Sequence, residues 1–435
     1  MSRKLIARAA WSSIVGLCHC AVVLLVFSAG VLVPAAPASA VTVRQYSWHL
    51  AALRVAQAQR LTQGRGVVVA VLDSGVDPFH PDLRDRLLPG KGFGADTVAN
   101  GWRDDDLKEG HGTAMAGIIA GRGVGENSVL GIAPQSKIMP ISTGVQPTVN
   151  EIADGIRWAV DHGAGVINIS IGRPGTDISV GTEVSAVRYA LDHNVVIVAA
   201  AGNSERSGSG VAWPAKVPGV VAVAGLDKQL RAWPGSGHGK EVVLSAPAVQ
   251  LISPVPTSVA ESGYALSDGT SGASAIVSGV AALIRSRYPE LDAKNVVNRL
   301  VTTAKDEGAA GRDAEYGFGV VQPAAALGGN IGAVSQWPID TPTLPPKPAS
   351  VGPYALPQLV YSGGFSTLGL FAGAMVMIAG TLGFRRRRRI RLAAFNQPGP
   401  VGVAPHTRFL PTVYTAPVLS NRGPFENGEP PVSRN

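Results

Sequence analysis

Cysteine is nearly missing from this chain, and its placement matters as much as its scarcity. Both copies in 435 residues, Cys18 and Cys20, fall within the first forty positions. No thiol follows to form a disulfide, act as a thiolate nucleophile or bind a metal. With 46% hydrophobic residues, the chain must draw its stability from packing instead. Acidic residues are absent from positions 1–40, which carry Arg3, Lys4 and Arg8. The stretch 385–435 has nine arginines against two glutamates. Between them, residues 41–384 hold 26 basic and 28 acidic residues. The formal charge of +8 therefore belongs to the two ends. The body lacks the basic surface of a nucleic-acid-binding domain, so no nucleic acid is expected as a partner. No internal repeat is present.

The two ends carry membrane signals. A basic start, an apolar run from Ile14 to Val33 and the small-residue site "PASA" at 37–40 form the three parts of an export signal. Cleavage before Val41 is expected, an uncleaved N-terminal anchor being the alternative. Both cysteines lie inside this segment. Residues 365–384, "FSTLGLFAGAMVMIAGTLGF", contain no charge and would span about 30 Å as a helix. "RRRRRIR" follows at once. The excess of arginine places residues 385–435 in the cytoplasm and everything before the span outside it. The expected organisation is an export signal at 1–40 and a short N-terminal extension at 41–65. A folded domain at 66–330 comes next, then a proline-rich tether at 331–362. A single transmembrane helix at 363–384 and a basic, disordered tail at 385–435 complete the chain.

The folded block alternates two kinds of segment. "GVVVAVLDSGV" (66–76), "GVINISIG" (165–172), "NVVIVAAAGN" (194–203) and "GVVAVAGL" (219–226) are near-continuous apolar runs, the pattern of strands buried on both faces. Helical stretches lie between them. The expected fold is a three-layer α/β domain with a mainly parallel central sheet, whose site lies at the carboxyl ends of the strands. Asp73, Ser170 with Gly172, and Asn203 end those strands.

Those positions match a known chemical need. A serine hydroxyl is a weak nucleophile until an imidazole takes its proton and a carboxylate orients that imidazole. It also needs donors where the oxyanion forms. Asp73 ends the first strand, and His111 opens a helix in "GHGTAMAGIIAG". Ser271 opens another in "DGTSGASAIVSG", and Asn203 ends a strand in "VAAAGNS". Singly, Asp73 could cap a turn, His111 could be a loop histidine, Asn203 a turn residue and Ser271 an N-cap.

In order and in context the four resemble the motifs of the subtilisin family of serine peptidases, from about residue 45 to 327. "NSVLGIAP", "INISIG" and "YGFGVVQPAAAL" fit the same pattern. The resemblance implies Asp73, His111 and Ser271 as catalytic residues and Asn203 as oxyanion donor. It implies Ser170, Ile171, Gly172, Ala200 and Gly202 along the substrate. No cofactor is required for this chemistry, and no metal ligand is assigned. Calcium is left open, because Glu126 and Asn127 in "GRGVGENSVLGIAP" do not supply six oxygen ligands.

Three positions depart from the family pattern. Gly272 replaces a bulky residue after the serine, Ala275 a proline, and Ala114 a second histidine. Gly272 is expected to loosen packing under Ser271. The short extension, tether, single span and basic end resemble the mycosins, membrane-anchored subtilisins of type VII secretion in actinobacteria. Two functions stay open. One is a serine endopeptidase cutting exported proteins at the cell membrane; the other is a catalytically weak scaffold of a membrane secretion complex.

Overall fold

A computed structural model describes residues 42–173, 180–204 and 210–342. The segments expected to form an export signal, a transmembrane helix, a basic tail and most of a tether lie outside the described residues. Among those described, no helix is long and apolar enough to cross a membrane.

Seven strands make one sheet: β1 (Val68–Asp73), β2 (Lys91–Gly92), β3 (Lys137–Ser142), β4 (Val166–Ile169), β5 (Val196–Ala200), β6 (Val221–Leu226) and β7 (Val242–Pro247). Their order is β2-β3-β1-β4-β5-β6-β7, and every pairing is parallel. β8 (Leu251–Pro254) and β9 (Tyr264–Ser267) form a separate antiparallel pair. The four apolar runs of the sequence are β1, β4, β5 and β6. β3 is harder to read, because Pro140 sits inside it. Ile138 turns its N–H and C=O toward Arg86 and Leu88 on the outer side, so Pro140, two residues on, turns that way too. There β2 pairs only from Ile141 onward, and the proline forfeits no ladder bond.

Three short helices come first: α1 (Val43–Tyr46), α2 (Trp48–Ala52) and α3 (Val55–Gln59). They are followed by α4 (His111–Ala120), α5 (Val149–Asp161), α6 (Val180–Asp192), α7 (Thr270–Arg287), α8 (Ala293–Thr302) and α9 (Pro323–Leu327). A reciprocal cap starts α5, in which Thr148 Oγ1 accepts from Glu151 N and the Glu151 carboxylate accepts from Thr148 N. The strands bury alternate residues on two faces. Val69, Val71, Val166, Val196, Val198, Val221 and Val223 face α4 and α7. Ala70, Leu72, Ile167, Ile169, Ile197 and Ala199 face α5 and α6. α7 is buried along almost its whole length, as its apolar, small-residue sequence requires.

The N-terminal segment is part of this core. Leu53, Val55 and Ala58 are buried in the cluster around α4 and α7. Trp48 Nε1 donates to Val249 O at 3.0 Å, and Gln59 Nε2 donates to Gly131 O at 2.8 Å.

Candidate active site

Asp73 is the last residue of β1, and His111 is the first of α4. A close approach brings them together. A Cβ on Gly112 would lie 2.0 Å from Gly75 O, so only glycine lets the start of α4 press onto the loop after Asp73. The His111 Nδ1–H then donates to Asp73 Oδ1 at 2.8 Å. Asp73 is 1% exposed, and Ser74 N also donates to its Oδ1. Nδ1 being the donor, Nε2 of a neutral His111 is the free acceptor. Burial pulls the His111 pKa down. The charge and hydrogen bond of Asp73, with help from Glu109 and Asp104, outweigh it and lift the value to about 9.

A second buried carboxylate braces this pair, and the sequence reading missed it. Asp104 Oδ2 accepts from Thr113 N at 2.8 Å and from Thr113 Oγ1 at 2.6 Å. Its Oδ1 accepts from Ser74 Oγ at 2.7 Å, and Ser74 Oγ in turn accepts from Gly112 N. The loop before α4, the loop after β1 and the first turn of α4 are thereby locked together. Burial raises the Asp104 pKa to about 6 against the pull of hydrogen bonds from Thr113 and Ser74. The threonine of "HGT" was visible in the sequence, but its partner lies nine residues upstream in a charged loop.

Asn203 follows β5, and its orientation is determined. Its Oδ1 accepts from Thr270 N at 3.0 Å and from Thr270 Oγ1 at 3.1 Å. A backbone N–H can only donate, so the oxygen of the amide must face Thr270 and Nδ2 is left over as a donor. Thr270 Oγ1 also accepts from Gly202 N at 3.1 Å. Thr270 is the residue before Ser271, so the amide of Asn203 is set from the start of the serine's own helix.

Ser271 lies in the first turn of α7. Its hydroxyl donates to Ser170 O at 2.9 Å and makes no hydrogen bond to His111. The bond between Asp73 and His111 is thus formed, and the one between His111 and Ser271 is not. Gly272 does not leave a gap. A Cβ there would meet Leu251 Cδ1 at 2.4 Å, because Leu251 of β8, itself 1% exposed, fills the space. The expectation of loosened packing under the serine is therefore corrected.

Of the substrate-lining candidates, Ala200 is the last residue of β5 and the others follow β4 or β5. Ser170 is 5% exposed and its hydroxyl points inward, leaving its backbone at the site. Ile171 is half-buried and Gly172 exposed, while Ala200 and Gly202 are buried. Across the gap, a Cβ on Gly172 would come within 3.2 Å of the Ala212 methyl.

Among the described residues no group of three or more His, Asp or Glu side chains could hold a metal ion. In the loop where calcium was left open, four backbone carbonyls accept hydrogen bonds from the protein. The Arg44 guanidinium donates to Gly123 O and Gly125 O, Arg44 N to Glu126 O, and Tyr264 OH to Asn127 O.

A profile of the subtilase family matches residues 64–319. Fervidolysin of Fervidobacterium pennivorans is 34% identical over 311 residues, 65% of this chain and 44% of that protein. Subtilisin DY of Bacillus licheniformis is 35% identical over 269 residues, 61% of this chain and 92% of the subtilisin. The chain thus spans less than half of fervidolysin but nearly all of subtilisin DY. The crystal structure of MycP1 from the ESX-1 type VII secretion system superposes with a TM-score of 0.60 at 30% identity, covering 68% of this chain and 88% of that one.

Proposed function

Because this chain belongs to the subtilase family, we propose that it is a serine endopeptidase with Ser271 as nucleophile. His111 Nε2 takes the serine proton and later delivers it to the leaving amine. Asp73 holds the imidazole in the tautomer that leaves Nε2 free, and stabilises the cation that forms. The Asn203 amide donates to the oxyanion. The substrate lies between the backbone of Ser170, Ile171 and Gly172 and that of Ala200 and Gly202. Before attack, the Ser271 hydroxyl leaves Ser170 O and turns to His111, a change of side-chain rotamer.

The observation that carries this reading is the union of the 2.8 Å Asp73–His111 bond with an Asn203 amide oriented from the serine's own helix. A second reading, a catalytically weak scaffold, draws on the resting bond from Ser271 to Ser170 O. A fluorophosphonate probe separates them, since it reacts only with an activated serine. The full-length protein should label, and Ser271→Ala should lose both labelling and peptide cleavage while keeping its fold. An unlabelled wild type would leave the scaffold.

The substrates are proposed to be exported proteins, cut outside the cytoplasm beside a membrane secretion complex of the type VII kind. The likeness to MycP1 supports this, as do the export signal at 1–40 and the charge-free run at 365–384 with its flanking arginines. Protease added to intact, wall-stripped cells should digest residues 41–360 and spare an epitope placed after Asn435. A digested epitope beside a protected domain would reverse the topology.

A further inference from the structure

The end of β4 and the first turn of α7 are joined by a closed circuit of buried hydrogen bonds that the proposed chemistry leaves unused. It begins at the serine hydroxyl, which donates to Ser170 O at 2.9 Å. The Ser170 hydroxyl donates to Asn168 Oδ1 at 3.0 Å, and it also lies 2.9 Å from Ser274 Oγ and 3.2 Å from Ser271 O. Asn168 Nδ2 donates to Ser274 Oγ at 3.1 Å, and Ser274 Oγ donates to Ser271 O at 2.9 Å. The circuit therefore leaves Ser271 through its side chain and returns through its own carbonyl. Asn168 and Ser274 are fully buried. Asn168 is the one side chain in the circuit that bears a pure donor and a pure acceptor. It can receive from Ser170 and give to Ser274 at the same time.

We infer that Asn168, acting through Ser274, is a positioning residue for the Ser271 nucleophile. This rests on the proposed role of Ser271. The need for such a device follows from Gly272. Leu251 fills the space beside Gly272, but a glycine after the serine still has the widest choice of backbone conformation. A pinned Ser271 carbonyl restores what that position lacks. The hydroxyl then turns from Ser170 O to His111 about a fixed backbone, and the reacting atom arrives in register.

The molecule contains its own control. Asn168 Nδ2 has a second hydrogen, which it donates to Ser278 Oγ at 3.1 Å. Ser278 is one turn further along α7 and is equally buried, but it does not touch Ser271. Ser274→Ala and Ser278→Ala each remove one hydroxyl and one partner of the same amide, and Ser274→Ala alone also removes the contacts with Ser170 Oγ and Ser271 O. A merely structural network predicts lost stability in both variants and slowed labelling in neither.

The test compares fluorophosphonate labelling and peptide cleavage by full-length wild type, Ser274→Ala and Ser278→Ala. Both variants should melt at lowered temperatures, Ser274→Ala at the lower of the two. Only Ser274→Ala should slow labelling and lower kcat, by about tenfold, the loss expected of a small misplacement of a reacting group. Its KM and the pH at which activity rises should stay at the wild-type values, because neither His111 nor the substrate edges are altered. Ser278→Ala should label within about twofold of wild type, as a surplus partner with no contact to the nucleophile. If both variants label alike, or if Ser274→Ala labels at the wild-type rate, the positioning role is overturned. A wild type that fails to label removes the nucleophile assignment and this inference together.

Discussion

Two histidines sit in two differently built regions of this protein. His49, in α2 of the N-terminal segment, is fully buried and neither ring nitrogen has a hydrogen-bond partner. His111, at the start of α4, has a side chain 22% exposed and a carboxylate 2.8 Å from Nδ1. Burial acts in the same direction on both rings. It pulls His49 down to about 4, whereas at His111 the charge of Asp73 reverses the outcome and raises the value to about 9. The region around His49 is built for apolar packing and needs a neutral ring. The region around His111 is built around a charge.

The largest test of this contrast removes the charge. Asp73→Asn should lower kcat by about ten-thousandfold, because an amide does not hold the imidazole in the required tautomer or stabilise its cation. In that variant the residual activity should rise at a pH at least one unit below that of wild type, since burial then acts with less opposition. An unchanged pH profile would deny Asp73 its hold on His111. In the unaltered protein, kcat/KM should climb roughly fiftyfold between pH 7 and 9, as the base of pKa about 9 goes from almost fully to half protonated. A profile already flat at pH 7 would contradict it.

The smaller test reads stability. The folded-state pKa of His49 lies below its unfolded value, so folding favours the neutral ring. Its contribution is present above pH 6.5 and is lost as pH falls toward about 4. His111 has the opposite sign, its contribution being present below pH 6.5 and lost as pH rises through about 9. His49→Leu should therefore flatten the acid side of the stability profile by roughly 3 kcal/mol and leave the alkaline side unchanged. Asp104 acts against His49 on the acid side, its raised pKa adding stability as pH falls from about 6 to 3.8. It is common to both proteins and cancels in their difference. Thermal unfolding of the full-length protein and the variant at pH 7.5 and 4.5 would show the change.

What could be read from the sequence were features written within one segment. The apolar runs became β1, β4, β5 and β6, and the residues at their ends gather where parallel strands deliver them. Asp73, His111 and Asn203 each stand out within their own segments, although the fixed orientation of the Asn203 amide depends on Thr270. What could not be read depends on partners far apart in the chain. Leu251 fills the space beside Gly272, Arg44 occupies carbonyls 79 and 81 residues away, and Asn168 meets Ser274 across 106 residues. β3 was hidden because a proline usually argues against an inner strand, and the short β2 that tolerates it is only two residues long.

The seat of the N-terminal segment has a consequence for how the molecule is made. A chain is synthesised from its amino end, yet Trp48 finds its acceptor at Val249, 201 residues later. Helices as short as α1, α2 and α3 have little stability alone. Until the chain reaches β8, Leu53, Val55 and Ala58 have no finished core to enter. The earliest part of the domain to exist thus waits for a partner made 201 residues later. For that interval it is an uncovered apolar strip, open to a chaperone or to a neighbouring nascent chain.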